Sequence, residues 1–187
     1  MKIRITPATV LLLLMQAFEG KVLLPAGLLA ALFHECGHLL AAHALGVKIK
    51  QMEIDLLGAK LYPKGMLPSY HAELLLAAAG PLFSLLLGIF LLPHDGAFAV
   101  AVRDATFSFA LFNLLPIKDF DGGRILLSLL AQRTTLKAAE RALCVTSYLS
   151  LLLLFLLSSC VLLCYGQNLA LTVLTASLFA KLFLTQS

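Results

Sequence analysis

His34 and His38 stand four residues apart, with Glu35 between them, in the run Phe33-His34-Glu35-Cys36-Gly37-His38-Leu39-Leu40. On a helix that spacing projects both imidazoles from one face, one turn apart. Both rings then reach a single Zn²⁺ at about 2.0–2.1 Å per nitrogen. Glu35 lies beside such an ion, placed to take a proton from metal-bound water. The same three residues on a soluble surface helix would carry little weight. Here Leu28-Leu29-Ala30-Ala31-Leu32-Phe33 precede them and Leu39-Leu40-Ala41-Ala42 follow. A carboxylate at bilayer depth costs about 2.5–3.5 kcal/mol on insertion scales, and such residues mark function by default.

A histidine pair needs a third protein ligand. The stretch that offers one runs from Asn113 to Arg124, where Leu114-Leu115-Pro116-Ile117-Lys118-Asp119-Phe120-Asp121-Gly122-Gly123 interrupts an otherwise apolar segment. Irregular backbone at membrane depth is tolerated where it lines a cavity or a site. Asp119 and Asp121 are both candidates. Asp121 precedes two glycines that let backbone approach a crowded centre without a Cβ, and it opens the resumed helix, where a carboxylate caps exposed N–H groups. Asp119 follows Lys118 and suits an interfacial ion pair. His43, His71 and His94 fall off the ligand face or at segment ends, and Cys36 faces away from the pair. Cys144, Cys160 and Cys164 lie in apolar segments without disulfide or metal-site spacing.

The elements that must position these groups are membrane helices. The chain has 187 residues, 60% hydrophobic and 13% charged, with mean hydropathy +0.96, which leaves too few charges to cover a soluble surface. Apolar runs of bilayer length recur throughout. The fold class expected is an all-α polytopic membrane protein of about six transmembrane helices, with a short β-hairpin after the second and a broken fourth. Residues 1–187 form a single domain, with a core at about 20–131 and scaffold helices over 142–186. The helices are expected near 7–18 (retained rather than cleaved as a signal peptide), 22–46, 71–92, 97–130 with its break, 142–165 and 169–184. Residues 132–141 read as a polar basic loop. Alternation over Val47 to Tyr62 with a turn at Gly58 predicts the hairpin, whose open edge suits an extended peptide. The formal charge of +4 is read as loop asymmetry and excludes nucleic acid as a partner. Both termini are expected in the cytosol, with the loop lysines and arginines inside and only Lys21 outside.

His34-Glu35-Cys36-Gly37-His38, then Asn113-Leu114-Leu115-Pro116, then Asp121-Gly122-Gly123-Arg124 resemble, in that order, the site-2 protease family of intramembrane zinc metalloproteases. Gly80-Pro81 on the intervening helix fits too, and the likeness covers about 20–130. It implies one Zn²⁺ per chain held by His34, His38 and Asp121, with Glu35 as catalytic base. Asn113 would position substrate or stabilise the oxyanion. The layout is similar to the small six-helix sporulation-type branch (stage IV sporulation protein FB-like), which cleaves a membrane-associated sigma-factor precursor. That resemblance implies a bacterial cytoplasmic membrane, a membrane-protein or membrane-associated peptide substrate, and a regulatory membrane partner; oligomeric state is left open.

Two other classes compete with a zinc endopeptidase. A metal-ion carrier or sensor needs no base beside the histidines, and it would spread metal-binding side chains along further helices; the stretches 142–165 and 169–184 hold no acidic residue or histidine. A dead scaffold would be expected to have lost a ligand or the glutamate, and all are present.

Overall fold

A computed structural model describes residues 2–5, 22–55, 58–65 and 69–165, together with Thr175 and Leu178. In chain order these form β1 (Lys2–Ile5), α1 (Leu23–Ala44), β2 (Ile49–Asp55), β3 (Gly58–Pro63), α2 (Tyr70–Phe90), α3 (Ala97–Asn113), α4 (Asp121–Ala131) and α5 (Leu136–Tyr165). Helices α1, α2 and α3 pack against one another, α4 lies on α2, and α5 lies on α4.

The distribution of side chains is the reverse of a soluble bundle. Inside are Ala26, Ala30, Ala77, Ala110, Gly37, Gly80, Ser84 and Gly88, while Leu28, Leu32, Leu82, Leu86, Leu149 and Leu153 face outward. Lipid is as apolar as leucine, so such helices associate through small residues that bring backbones close. A Cβ on Gly37 would sit 2.6 Å from the Ala79 carbonyl oxygen, and one on Gly88 would sit 2.8 Å from the Phe107 ring. Those two glycines set the α1–α2 and α2–α3 approaches. Among the described residues, three helices are long and apolar enough to cross a membrane, Leu23–Ala44, Tyr70–Phe90 and Leu136–Cys164. The chain is an integral membrane protein.

Helix ends follow local chemistry. Gly46 takes φ +67°; its N–H bonds the His43 carbonyl at 3.0 Å, and the Val47 N–H bonds that of Ala42 at 2.8 Å. This is the left-handed glycine stop that closes a helix by satisfying its last carbonyls. The Ser69 hydroxyl accepts from the Ala72 N–H at 3.1 Å and caps α2.

The β region has an extra member. β2 pairs antiparallel with β3, and β1 pairs parallel with β2 in the order β1-β2-β3. The basic start of the chain therefore occupies one edge of β2, and β3 has no further neighbour among the described residues. The loop expected over 132–141 is shorter than that, because α5 begins at Leu136, where Thr135 Oγ1 accepts from the Ala138 N–H at 3.3 Å. A Thr just before Leu136-Lys137-Ala138-Ala139 is a helix start, and the surrounding charges obscured it. Arg103 belongs to neither loop set. It lies within α3, with its Nε 3.2 Å from Asp104 Oδ1. The helices expected at 7–18 and 169–184 fall outside the described residues, apart from Thr175 and Leu178.

The fourth segment divides into α3 and α4. Between them the Ile117 N–H bonds Leu115 O at 2.7 Å and the Phe120 N–H bonds Ile117 O at 2.9 Å. Two further polar groups of the break, the Pro116 carbonyl and the Lys118 N–H, turn to α5. Thr146 Oγ1 donates to the Pro116 carbonyl at 3.2 Å, and the Lys118 N–H donates to Ser147 Oγ at 3.0 Å. Ile117 and Phe120 pack with Leu151 and Leu178.

Candidate metal centre

Helix α1 supplies His34 and His38 from one face, and the first residue of α4 supplies Asp121. All three side chains are buried, at 2%, 3% and 7% exposure, and Glu35 is buried beside them at 8%. His34 Nε2 and His38 Nε2 are 3.2 Å apart, and Asp121 Oδ2 lies 3.1 Å from each. Four ligands around Zn²⁺ at about 2.0–2.1 Å are separated, at the tetrahedral angle, by about 3.3 Å. The three atoms form one face of that tetrahedron within about 0.2 Å.

The outer nitrogens are held as well. His38 Nδ1–H donates to the Leu76 carbonyl at 2.8 Å, and His34 Nδ1 lies 3.0 Å from Ser84 Oγ. With Nδ1 carrying the proton in a neutral ring, Nε2 presents a lone pair. Two such nitrogens and a carboxylate oxygen pointing at one spot inside a protein repel each other unless a metal ion or a shared proton lies between them. Metal-bound histidines are ordinarily oriented in this way by a second hydrogen bond.

Gly80 closes the floor of the centre. A Cβ there would overlap His38 Nε2 and would sit 2.6 Å from His38 Cε1 and 2.7 Å from His34 Nε2. The space in front of the two nitrogens exists because residue 80 has no side chain. Donor set, spacing and cradle all fit zinc, and His34, His38 and Asp121 are the one group of three or more such residues with metal-holding geometry among the described residues.

The sequence-predicted residues are distributed as follows. His34, His38, Glu35 and Asp121 come together. Asp119 is half-buried and stands outside the cluster. Asn113 ends α3, and its Nδ2 donates to the Phe109 carbonyl at 3.1 Å. The capping role expected of Asp121 is absent: α4 has no side-chain cap, because Oδ2 faces the histidines and Oδ1 lies 3.4 Å from Arg124 Nη1. Gly122 and Gly123 do allow the expected close approach, since a Cβ on either would overlap the Leu114 or the Ile117 carbonyl. Sequence reasoning missed Ser84, four residues past Gly80 and so on the same face of α2; a lone serine among leucines was its only signal. It also missed Glu73, whose Oε1 accepts from Arg124 Nε at 2.6 Å.

The sequence model of peptidase family M50 matches residues 96–157, a stretch that holds Asn113 and Asp121 but not the histidine pair. A zinc metalloprotease of Methanocaldococcus jannaschii is 32% identical over 114 residues, covering 56% of this chain and 33% of that protein. The chain thus spans about a third of the length of this curated relative. Among solved structures, the site-2 protease from Methanocaldococcus jannaschii shares the fold with a TM-score of 0.66. That likeness extends over 96% of this chain and 88% of that one, at 22% identity.

Proposed function

We propose that the chain is an intramembrane zinc endopeptidase of the site-2 protease type, a reading supported by the peptidase family M50 match over residues 96–157 and by the likeness to the two Methanocaldococcus jannaschii proteins. Its substrate would be a transmembrane or membrane-associated protein. The observation that carries this reading is the convergence of His34 Nε2, His38 Nε2 and Asp121 Oδ2 above the bare Gly80 backbone, with Glu35 buried alongside.

His34, His38 and Asp121 would hold the zinc, which would supply Lewis-acid chemistry for peptide hydrolysis. Glu35 accepts the proton of the attacking water and returns it to the leaving amine. Ser84 and the Leu76 carbonyl hold the ring planes, so neither imidazole has to reorient during turnover. Asn113 is assigned to the substrate backbone or the developing oxyanion, which requires its amide to rotate away from Phe109. An extended substrate segment adds as a further strand beside β3, the hairpin strand whose outer edge the described residues leave open. By the sporulation-type resemblance, a membrane-associated sigma-factor precursor falls in this substrate class. The chain would lie in a bacterial cytoplasmic membrane with both termini cytosolic. A carrier or sensor of metal ions has no use for the buried Glu35.

The test compares membrane peptides from cells making the wild-type protein or Glu35→Gln, together with the zinc content of both purified proteins. Fragments should arise with wild type only, and zinc should stay at one per chain in both. Cleavage by Glu35→Gln at normal rates, or its loss of zinc, would remove Glu35 from the assigned role.

A further inference from the structure

Arg124 is in an unfavourable place for a cation. It sits in the first turn of α4, at the positive end of the helix dipole, and its side chain is 30% exposed. A local rule broken near a functional centre calls for a compensating partner, and two are present. Arg124 Nε donates to Glu73 Oε1 at 2.6 Å, across from α4 to the first turn of α2. Arg124 Nη1 lies 3.4 Å from Asp121 Oδ1, the oxygen turned away from the histidines. Glu73 is itself not occupied in capping α2, which Ser69 does.

We propose that Arg124 is a positioning residue for the third metal ligand. Resting on the metalloprotease reading, the inference is that Glu73 anchors the guanidinium and the guanidinium holds Asp121 Oδ1, so that Oδ2 stays aimed between His34 and His38. A carboxylate at the end of a single χ1–χ2 arm turns over readily when only one oxygen is engaged. With both oxygens engaged, one by the histidine side and one by arginine, its plane is set before metal arrives. The planar fork of arginine reaches two carboxylates at once, which a lysine ammonium on a flexible stem does not reproduce. Glu73 therefore belongs to the centre although it is 48 residues from Asp121 in sequence and offers no ligand.

The experiment is competition for Zn²⁺ between the purified full-length protein in detergent and a chromophoric chelator, with thermal unfolding followed in parallel. Groups that orient metal ligands typically change metal affinity by about 10- to 100-fold. Arg124→Gln is expected to fall in that range, and Glu73→Gln to weaken zinc less, in the same direction. Glu73→Gln carries the test should Arg124→Gln fail to fold. A combined Glu73→Arg, Arg124→Glu exchange restores an α2–α4 ion pair but sets a second carboxylate beside Asp121. Zinc affinity should therefore remain low in the exchange variant. Recovery of wild-type affinity by the exchange would show a plain interhelical clasp and overturn the proposal. So would unaltered affinity in either single variant. Wild-type protein that binds no zinc would instead overturn the metalloprotease reading on which the inference stands.

Discussion

Gly80→Ala is the smallest change that should empty the centre. The added Cβ would stand 2.6 Å from His38 Cε1 and 2.7 Å from His34 Nε2, with a still closer approach to His38 Nε2. Non-bonded carbon contacts settle at about 3.5–4.0 Å, so α2 or both rings must give by about 1 Å. Ligand distances in a working metal site hold to within about 0.2 Å, and a 1 Å misplacement of reacting groups costs about 10²-fold. Zinc affinity should fall by at least about 10²-fold, close to 2.7 kcal/mol at 1.36 kcal/mol per decade. Stability should fall by about 1–3 kcal/mol, the usual cost of overpacking. A glycine on α1 provides the control: a Cβ on Gly27 would meet nothing within 4 Å, so Gly27→Ala should keep zinc and gain the helix preference of alanine, up to about 1 kcal/mol. The assay is metal content per chain with thermal unfolding of the three purified proteins. Retention of one zinc per chain and full activity in Gly80→Ala would refute the view that residue 80 is bare to make room for the ion.

Asp121→Asn should lose tight zinc and activity, whereas Asp119→Asn should retain most of each; metal analysis of the two purified variants decides, and zinc lost only from Asp119→Asn would reverse the ligand choice. Reporter fusions after Leu92 and after Gln132 should report opposite sides of the membrane, outer for the first and inner for the second. Equal signals would sink that topology.

The histidine pair and its glutamate were legible in sequence because helical spacing is a local property, and a carboxylate among leucines has no bland use in lipid. Asp121 was legible for a different reason: the two glycines after it record a close approach that no other residue allows, and the structure has their Cα atoms against the Leu114 and Ile117 carbonyls. What stayed hidden was everything set by tertiary contact between polar groups of ordinary type. Ser84 reads as one hydroxyl in an apolar helix until His34 Nδ1 is placed 3.0 Å away. Glu73 reads as a helix-start acid, and Arg124 as a loop cation, until their side chains meet. The edge strand Lys2–Ile5 could not be read from a basic terminus, since a strand of that length is defined by its neighbour β2 more than by its own pattern.

The same distinction explains why the scaffold is not passive. A third ligand facing α1 has to come from a helix that stops and restarts beside the site, which exposes carbonyls and N–H groups where water is scarce, each costing several kcal/mol if left unpaired. The break answers this partly within itself, through the turn that ends on Phe120, and partly through α5. Ser147 is fully buried; its hydroxyl donates to Leu143 O at 2.6 Å while accepting from the Lys118 N–H at 3.0 Å. Thr146 Oγ1 donates to the Pro116 carbonyl at 3.2 Å. Two hydroxyls on a helix that carries no ligand thus hold the backbone from which Asp121 projects. The separation of α5 from the candidate site is one of sequence only: that helix supplies hydrogen bonds to the irregular segment from which the carboxylate projects.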